Sequence, residues 1–224
     1  MIQLKLFKTP VRIQLVFFGN VIGLWAIATA YNIWRHPERT LITGILTGLC
    51  AMLLVMFADF GHAVAHIFSA RRAKAPMKEI FISAGMPRTL YPDDPVSPEA
   101  HRMRALGGPV FSAICLLLSG IIYMASPAGM VLRELAGWSV IGHGFIFLGI
   151  LFPWPAVDGG SIYKWTLVIG GRSEQEADTI IRKANWIVGG LAVLLGIIFL
   201  ILKSWFIAVA ALGIGGTSFF YAAK

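Results

Sequence analysis

The stretch Ala58-Asp59-Phe60-Gly61-His62-Ala63-Val64-Ala65-His66-Ile67 closes a long apolar run and carries two histidines four residues apart. On a helix, that spacing stacks both imidazoles on one face. Ionisable side chains are costly inside a bilayer and mark functional sites there, so the pair is read as half of a zinc site. The run that holds it, residues 41–70, is long enough to cross a hydrocarbon core of about 30 Å.

The rest of the chain agrees with a membrane setting. Of the 224 residues, 57% are apolar and 13% charged, and the mean hydropathy is +0.75, which lies outside the range of soluble globular domains. The net charge of +8 invites a nucleic-acid reading. In a membrane chain, however, the first question is which loops hold the Lys and Arg. Cys50 and Cys115 both fall in apolar spans, which argues against a disulfide framework or a paired-cysteine metal site.

Six spans are expected: 11–34, 41–70, 108–125, 137–157, 184–202 and 205–222. Ala28-Thr29-Ala30 has the look of a signal-peptidase site, but the first span is long for a signal segment and Asn20 interrupts it, so it is read as a helix. Only Lys203-Ser204 separates the last two spans, leaving a tight hairpin or one strongly bent helix as alternatives. Lys5, Lys8, Arg12, the Arg71 to Arg104 cluster, Lys164, Arg172, Arg182, Lys183 and Lys224 fall on one side of such a topology. Arg35, Arg39, Arg133 and Lys203 fall on the other, an asymmetry that places both termini in the cytoplasm.

Residues 73–106 carry Pro76, Pro87, Pro92, Pro95 and Pro98 with much of the charge, so they form an insertion rather than a simple membrane helix. Residues 77–83 read as a short strand, and Ser97-Pro98-Glu99 as a helix N-cap followed by proline at the first helical position. The expected fold is an all-α integral membrane protein of about six transmembrane helices, with a short β or loop insertion between the second and third. Residues 1–224 are expected to form a single membrane-embedded domain.

Topology supplies a third ligand for the histidine pair. The fourth span ends Phe152-Pro153-Trp154-Pro155-Ala156-Val157-Asp158-Gly159-Gly160, and the inside/outside assignment puts Asp158 toward the same face as His62 and His66. Prolines 153 and 155 break the helix, which is tolerated at membrane depth where freed backbone groups line a cavity or meet other protein. Two His, one Asp and a water make the three-ligand, open-position arrangement of a catalytic zinc site.

Taken one at a time, these features have plainer readings. Two His at this spacing can serve interhelical hydrogen bonding. Asp158 can cap a helix in a Pro/Gly turn, and Gly107-Gly108-Pro109 can simply admit close packing. Asp59, one turn before His62, is either a partner that orients an imidazole or a polar residue facing the cavity. His143 would lie roughly 22 Å from Asp158 along a straight helix, too far for a ligand. His36 and His101 read as loop residues.

The motif His-Glu-x-x-His places two zinc-binding His on one helical face with a Glu beside the first as general base. Here the sequence is His62-Ala63-Val64-Ala65-His66. This segment, Ser97-Pro98-Glu99 leading to Gly107-Gly108-Pro109-Val110-Phe111-Ser112, and Pro153-Trp154-Pro155-Ala156-Val157-Asp158-Gly159-Gly160 together resemble the site-2 protease family of intramembrane zinc metalloproteases. The resemblance runs from the second span through the fifth. It implies Zn2+ held by His62, His66 and Asp158, with Gly108, Pro109, Ser112, Pro153, Pro155 and Gly159 flanking the site. It also implies a substrate that is a transmembrane helix of another protein, cut in or near the membrane. Membrane lipid is the other expected partner, nucleic acid is not, and a homodimer is left open; the setting implied is the plasma membrane of a prokaryote.

There are two departures. Ser112 stands where Asn is common, and Ala63 stands where the catalytic Glu is expected. Alanine can neither accept a proton from water nor pass one to a leaving amine, and a lost general base alone costs on the order of 10² to 10⁴ in rate. Either the base of an active protease has been deliberately replaced, or the chain is a natural pseudoprotease that binds or regulates membrane proteins without cutting. A transporter is the weaker alternative, because no paired half-helix repeats are present.

Overall fold

The structure, a computed structural model, describes residues 1–93 and 95–224. Among the described residues are seven α-helices and one four-stranded sheet. Six helical segments are long and apolar enough to cross a bilayer, and their outward apolar side chains are bare: Phe206 is 88% and Met124 77% exposed. Hydrocarbon is the environment in which such surfaces are stable. The chain is a multi-pass integral membrane protein.

Two compact units are distinguished, one comprising Met1–Val96 with Met103–Leu148, the other Ser97–Arg102 with Gly149–Lys224. The first unit opens with strands β1 (Ile2–Leu6) and β2 (Thr9–Ile13). The first span was expected over 11–34, but the helix α1 (Val16–Arg35) begins later. Residues 9–13 go into the sheet because Val11 and Ile13 alternate with Pro10 and Arg12, a period-two pattern that puts one face into the core. Helix α2 (Leu41–Arg72) is capped by Thr40, whose hydroxyl accepts from the Thr43 amide. At 32 residues it is about 48 Å long, more than the hydrocarbon thickness of about 30 Å.

Strands β3 (Glu79–Ile82) and β4 (Arg88–Leu90) complete the sheet in the order β1-β2-β3-β4. The expected strand within 77–83 is present. The sheet also recruits the N-terminal hairpin, with β2 and β3 parallel and Val11 opposite Ile80. One face of it buries Val11, Ile80 and Ile82 with Met77 against Ala63, Ile67 and Ala70 of α2. Those three recur at i, i+4 and i+7, one helical stripe. Helices α3 (Pro98–Ala125) and α4 (Val131–Leu148) supply the remaining spans of this unit. The expected N-cap at Ser97 and the expected third span at 108–125 join into one continuous helix, with Pro109 inside it.

In the second unit, the expected fourth span over 137–157 stops early. Helix α4 ends at Leu148, a short 3₁₀ turn covers Gly149–Leu151, and prolines 153 and 155 hold the chain out of the helix until α5 (Asp158–Ile169). Helix α6 (Glu174–Ile201) begins well before the expected 184, started by a capping box between Ser173 and Glu176. Helix α7 (Trp205–Ala222) follows across Lys203, whose φ of 57° makes the connection a tight hairpin rather than a bend. Its close packing rests on small residues: a Cβ at Gly189 would meet the Phe219 ring, one at Gly196 Leu212, and one at Gly215 Val193.

Candidate metal centre

Helix α2 presents two adjacent stripes. Ala63, Ile67 and Ala70 face the sheet, and His62, His66 and Ser69 face α3. On α3 the facing residues are Arg104, Gly108 and Ser112, again four apart and buried. The His66 Nδ1 lies 2.8 Å from the Arg104 carbonyl oxygen, to which the Ser69 hydroxyl also donates at 3.1 Å. The His62 Nδ1 lies 2.9 Å from the buried Ser112 hydroxyl. Both Nδ1 atoms are thus engaged by α3, and the two Nε2 atoms converge at 3.2 Å.

This arrangement fits a divalent metal. A carbonyl only accepts, so His66 carries its proton on Nδ1 and directs a lone pair outward from Nε2. Two nitrogens on a tetrahedral zinc with arms of 2.0 to 2.1 Å stand about 3.3 Å apart, close to the observed separation. Hydrogen bonding of the far ring nitrogen is also how metal-binding imidazoles are held in orientation.

Gly108 sits directly against the pair. A Cβ there would run into His62 Nε2 and Cδ2 and His66 Nε2, so any larger residue would fill the space between the imidazoles and α3. Pro109 cannot donate to the Ala105 carbonyl one turn back. Gly107 lets α3 approach Ser69 and the Ala65 carbonyl. The hydrogen bonds described for the imidazole Nδ1 atoms go to Ser112 and the Arg104 carbonyl rather than to Asp59, which is half-buried on α2.

Ala63 is buried within the apolar cluster of Val11, Ile67, Ala70, Met77, Ile80 and Ile82. His143, expected to lie remote, is buried with its ring 5.6 Å from that of Phe111 and 6.2 Å from that of Phe57, and the Phe111 ring also closes over Gly61. The helix containing His143 ends at Leu148, so the chain from His143 to Asp158 is not one straight helix. His36 does sit in a connection, after α1. His101 is not a loop residue: it is the fourth residue of α3, which starts at Pro98, and it stacks on Trp165 at 4.0 Å.

In the second unit, Asp158 is the first residue of α5, where the helix dipole favours a carboxylate. The segment before it is fastened from two sides. Asn185 of α6 donates to the Pro153 carbonyl at 2.8 Å, and the Trp154 indole N–H donates to the Ser218 hydroxyl of α7 at 2.9 Å. Pro155 lies between these anchors and the helix. Glycines admit α5 against the same segment, since a Cβ on Gly159 would strike the Phe152 and Ile150 carbonyls and one on Gly160 the Trp154 carbonyl and Pro155 nitrogen. Sequence reasoning does not single out Arg104, Asn185 or Ser218. Arg104 contributes through its main chain, which leaves no side-chain signature. The signal for Asn185 is there: an amide in an apolar span.

No protein-family model matches the chain, and no curated protein does. Among solved structures, the site-2 protease from Methanocaldococcus jannaschii aligns with 99% of this chain and 93% of its own length, at a TM-score of 0.54 and 16% sequence identity. The chain has the site-2 protease fold. The alignment takes in nearly the whole chain, so the resemblance first carried by three short motifs extends over the site-2 protease architecture.

Proposed function

We propose that this chain is an intramembrane metalloprotease scaffold of the site-2 protease type, residues 1–224 acting as one domain, that binds Zn2+ through His62, His66 and Asp158 and receives a transmembrane helix of another protein. The observation that carries the reading is the convergence of two imidazole Nε2 atoms at 3.2 Å with each Nδ1 turned away onto α3. Two imidazoles and a carboxylate are a catalytic zinc donor set by their chemistry. Bound there, zinc supplies Lewis acidity toward a carbonyl and toward a water. The chain's own residues hold the His66 ring in one tautomer, hold the His62 ring through Ser112, bring α3 against the pair at Gly108, and offer no proton acceptor at position 63. With alanine there, the chain binds metal and substrate helix and leaves the peptide bond intact. Both termini lie in the cytoplasm of a prokaryotic cell, a placement the charge asymmetry supports.

The burial of Ala63 in an apolar cluster favours a second reading, a natural pseudoprotease that binds or regulates membrane proteins. A carboxylate at that position would enter apolar surroundings, at the cost that burial imposes on a charge.

Cleavage of a panel of single-pass membrane proteins by this chain and by Ala63→Glu, each with and without chelator, tests both. Chelator-sensitive cleavage gained only in Ala63→Glu identifies a protease scaffold short of one group. Intact substrates with both proteins, in preparations that hold zinc, support the pseudoprotease. Cleavage by the unaltered chain refutes the role given to position 63.

A further inference from the structure

Resting on the zinc reading above, we propose that Asn185 and Ser218 are positioning residues: they clamp the strap 152–157 and thereby fix the carboxylate of Asp158 for the metal. The strap lacks helical hydrogen bonding, and Pro153 and Pro155 bring no N–H of their own. Proline also restricts the residue before it to extended backbone, so Phe152 and Trp154 are set in direction but not in place. Something outside the strap has to hold it.

Two side chains from two different helices do so at consecutive residues. The Asn185 amide gives one hydrogen bond to the Pro153 carbonyl at 2.8 Å and one to the Ile181 carbonyl at 3.1 Å, and the Ser218 hydroxyl receives the Trp154 indole N–H at 2.9 Å. Both side chains are fully buried, at 0% exposure. Stacking of Phe152 on Trp154, with centroids 4.5 Å apart, and the bond from the Val157 amide to the Trp154 carbonyl at 3.1 Å carry the restraint on to Asp158.

A packing role alone does not account for Asn185. Polar side chains in membrane spans are costly and are retained for a partner, and this one leaves its own Oδ1 without a hydrogen bond among the described residues. Leucine would fill the same volume without that cost. What leucine lacks is the donor for the carbonyl of Pro153, a buried residue, and a buried carbonyl left without a partner is costly.

The test uses the full chain in lipid nanodiscs, labelled with 5-fluorotryptophan, its Trp154 fluorine resonance identified by Trp154→Phe. Co2+ is titrated in parallel and followed by its ligand-field absorption. In Asn185→Leu and in Ser218→Ala the Trp154 resonance should shift or split, and the Co2+ affinity should fall about ten- to a hundredfold, the usual cost of losing a group that orients a ligand. Helical content should stay unchanged. A Trp154 resonance and a Co2+ affinity at the unaltered values in Asn185→Leu would overturn the proposal. Should that variant fail to fold, Ser218→Ala, which removes one hydroxyl, decides the matter by the same two readouts. If the unaltered chain takes up no Co2+, or His66→Ala binds it equally well, the zinc reading fails separately, and the Trp154 resonance alone then decides whether the strap is clamped.

Discussion

His66 turns its Nδ1 to the main-chain carbonyl of Arg104 at 2.8 Å, so a helix that contributes no ligand nevertheless sets which nitrogen of the ring faces His62, 3.2 Å away. The His62 Nδ1 is engaged by the Ser112 hydroxyl at 2.9 Å, a group that can donate or accept. The pair is oriented by α3 as much as it is carried by α2.

Purified protein should contain zinc, and His66→Ala should abolish stoichiometric binding as measured by elemental analysis. Ser112→Ala should be milder, lowering affinity about ten- to a hundredfold by releasing the His62 ring. Zinc content undiminished in His66→Ala would remove the pair from any metal role.

Gly108→Ala places a methyl group against both imidazoles. We expect a loss of about 1 to 3 kcal/mol from overpacking, together with loss of zinc, seen as a lower midpoint in thermal unfolding and a lower metal content. A variant with full zinc and an unchanged midpoint would show that α3 can move away freely.

Gly160→Ala acts in the other unit, where the new Cβ would meet main-chain atoms of Trp154 and Pro155 that have no rotamer to change. Destabilisation should be at the upper end of about 1 to 3 kcal/mol. Limited proteolysis should find the chain around α5 opened before the α6/α7 hairpin.

Far from the imidazole pair along the sequence, Glu134 receives Arg39 at 2.6 Å and His36 at 3.4 Å, with Arg39 and Glu134 only 12% and 13% exposed. Glu134→Gln removes the charge that faces Arg39 and should cost about 1 to 3 kcal/mol. Hydrogen exchange across residues 36–40 should rise, and zinc binding should stay as it was. Unchanged exchange would assign the ordering of that connection to the helices alone.

The membrane spans are legible in the sequence because hydrocarbon imposes a length and a composition that no local preference overrides. The strand at 79–82 is legible too, bounded by prolines and glycine. The N-terminal hairpin is not. Its turn is Phe7-Lys8, with φ of 47° and 60°, a geometry for which Asn-Gly or Asp-Gly is the usual sign. Helix α5 is hidden because Asp158 reads as the end of a span rather than the start of an element. At the centre, the spacing of His62, His66, Gly108 and Ser112 follows from periodicity. The roles of the Arg104 carbonyl and of Asn185 do not, since both depend on which helices meet, and single-helix periodicity does not encode that.

The parallel pairing of β2 with β3 sets an order of events during synthesis. Ile13 and Ile82 are neighbours in the sheet, yet α1 and α2 lie between them in the chain. The N-terminal hairpin, made before α1 and α2, therefore gains its inner neighbour only after both helices have been made and the chain has come back to the side of the membrane that the hairpin occupies. An even number of crossings is required for that return. The sheet is thus a record, written in backbone hydrogen bonds, that insertion of the first two helices was completed in the right sense before the strands could join.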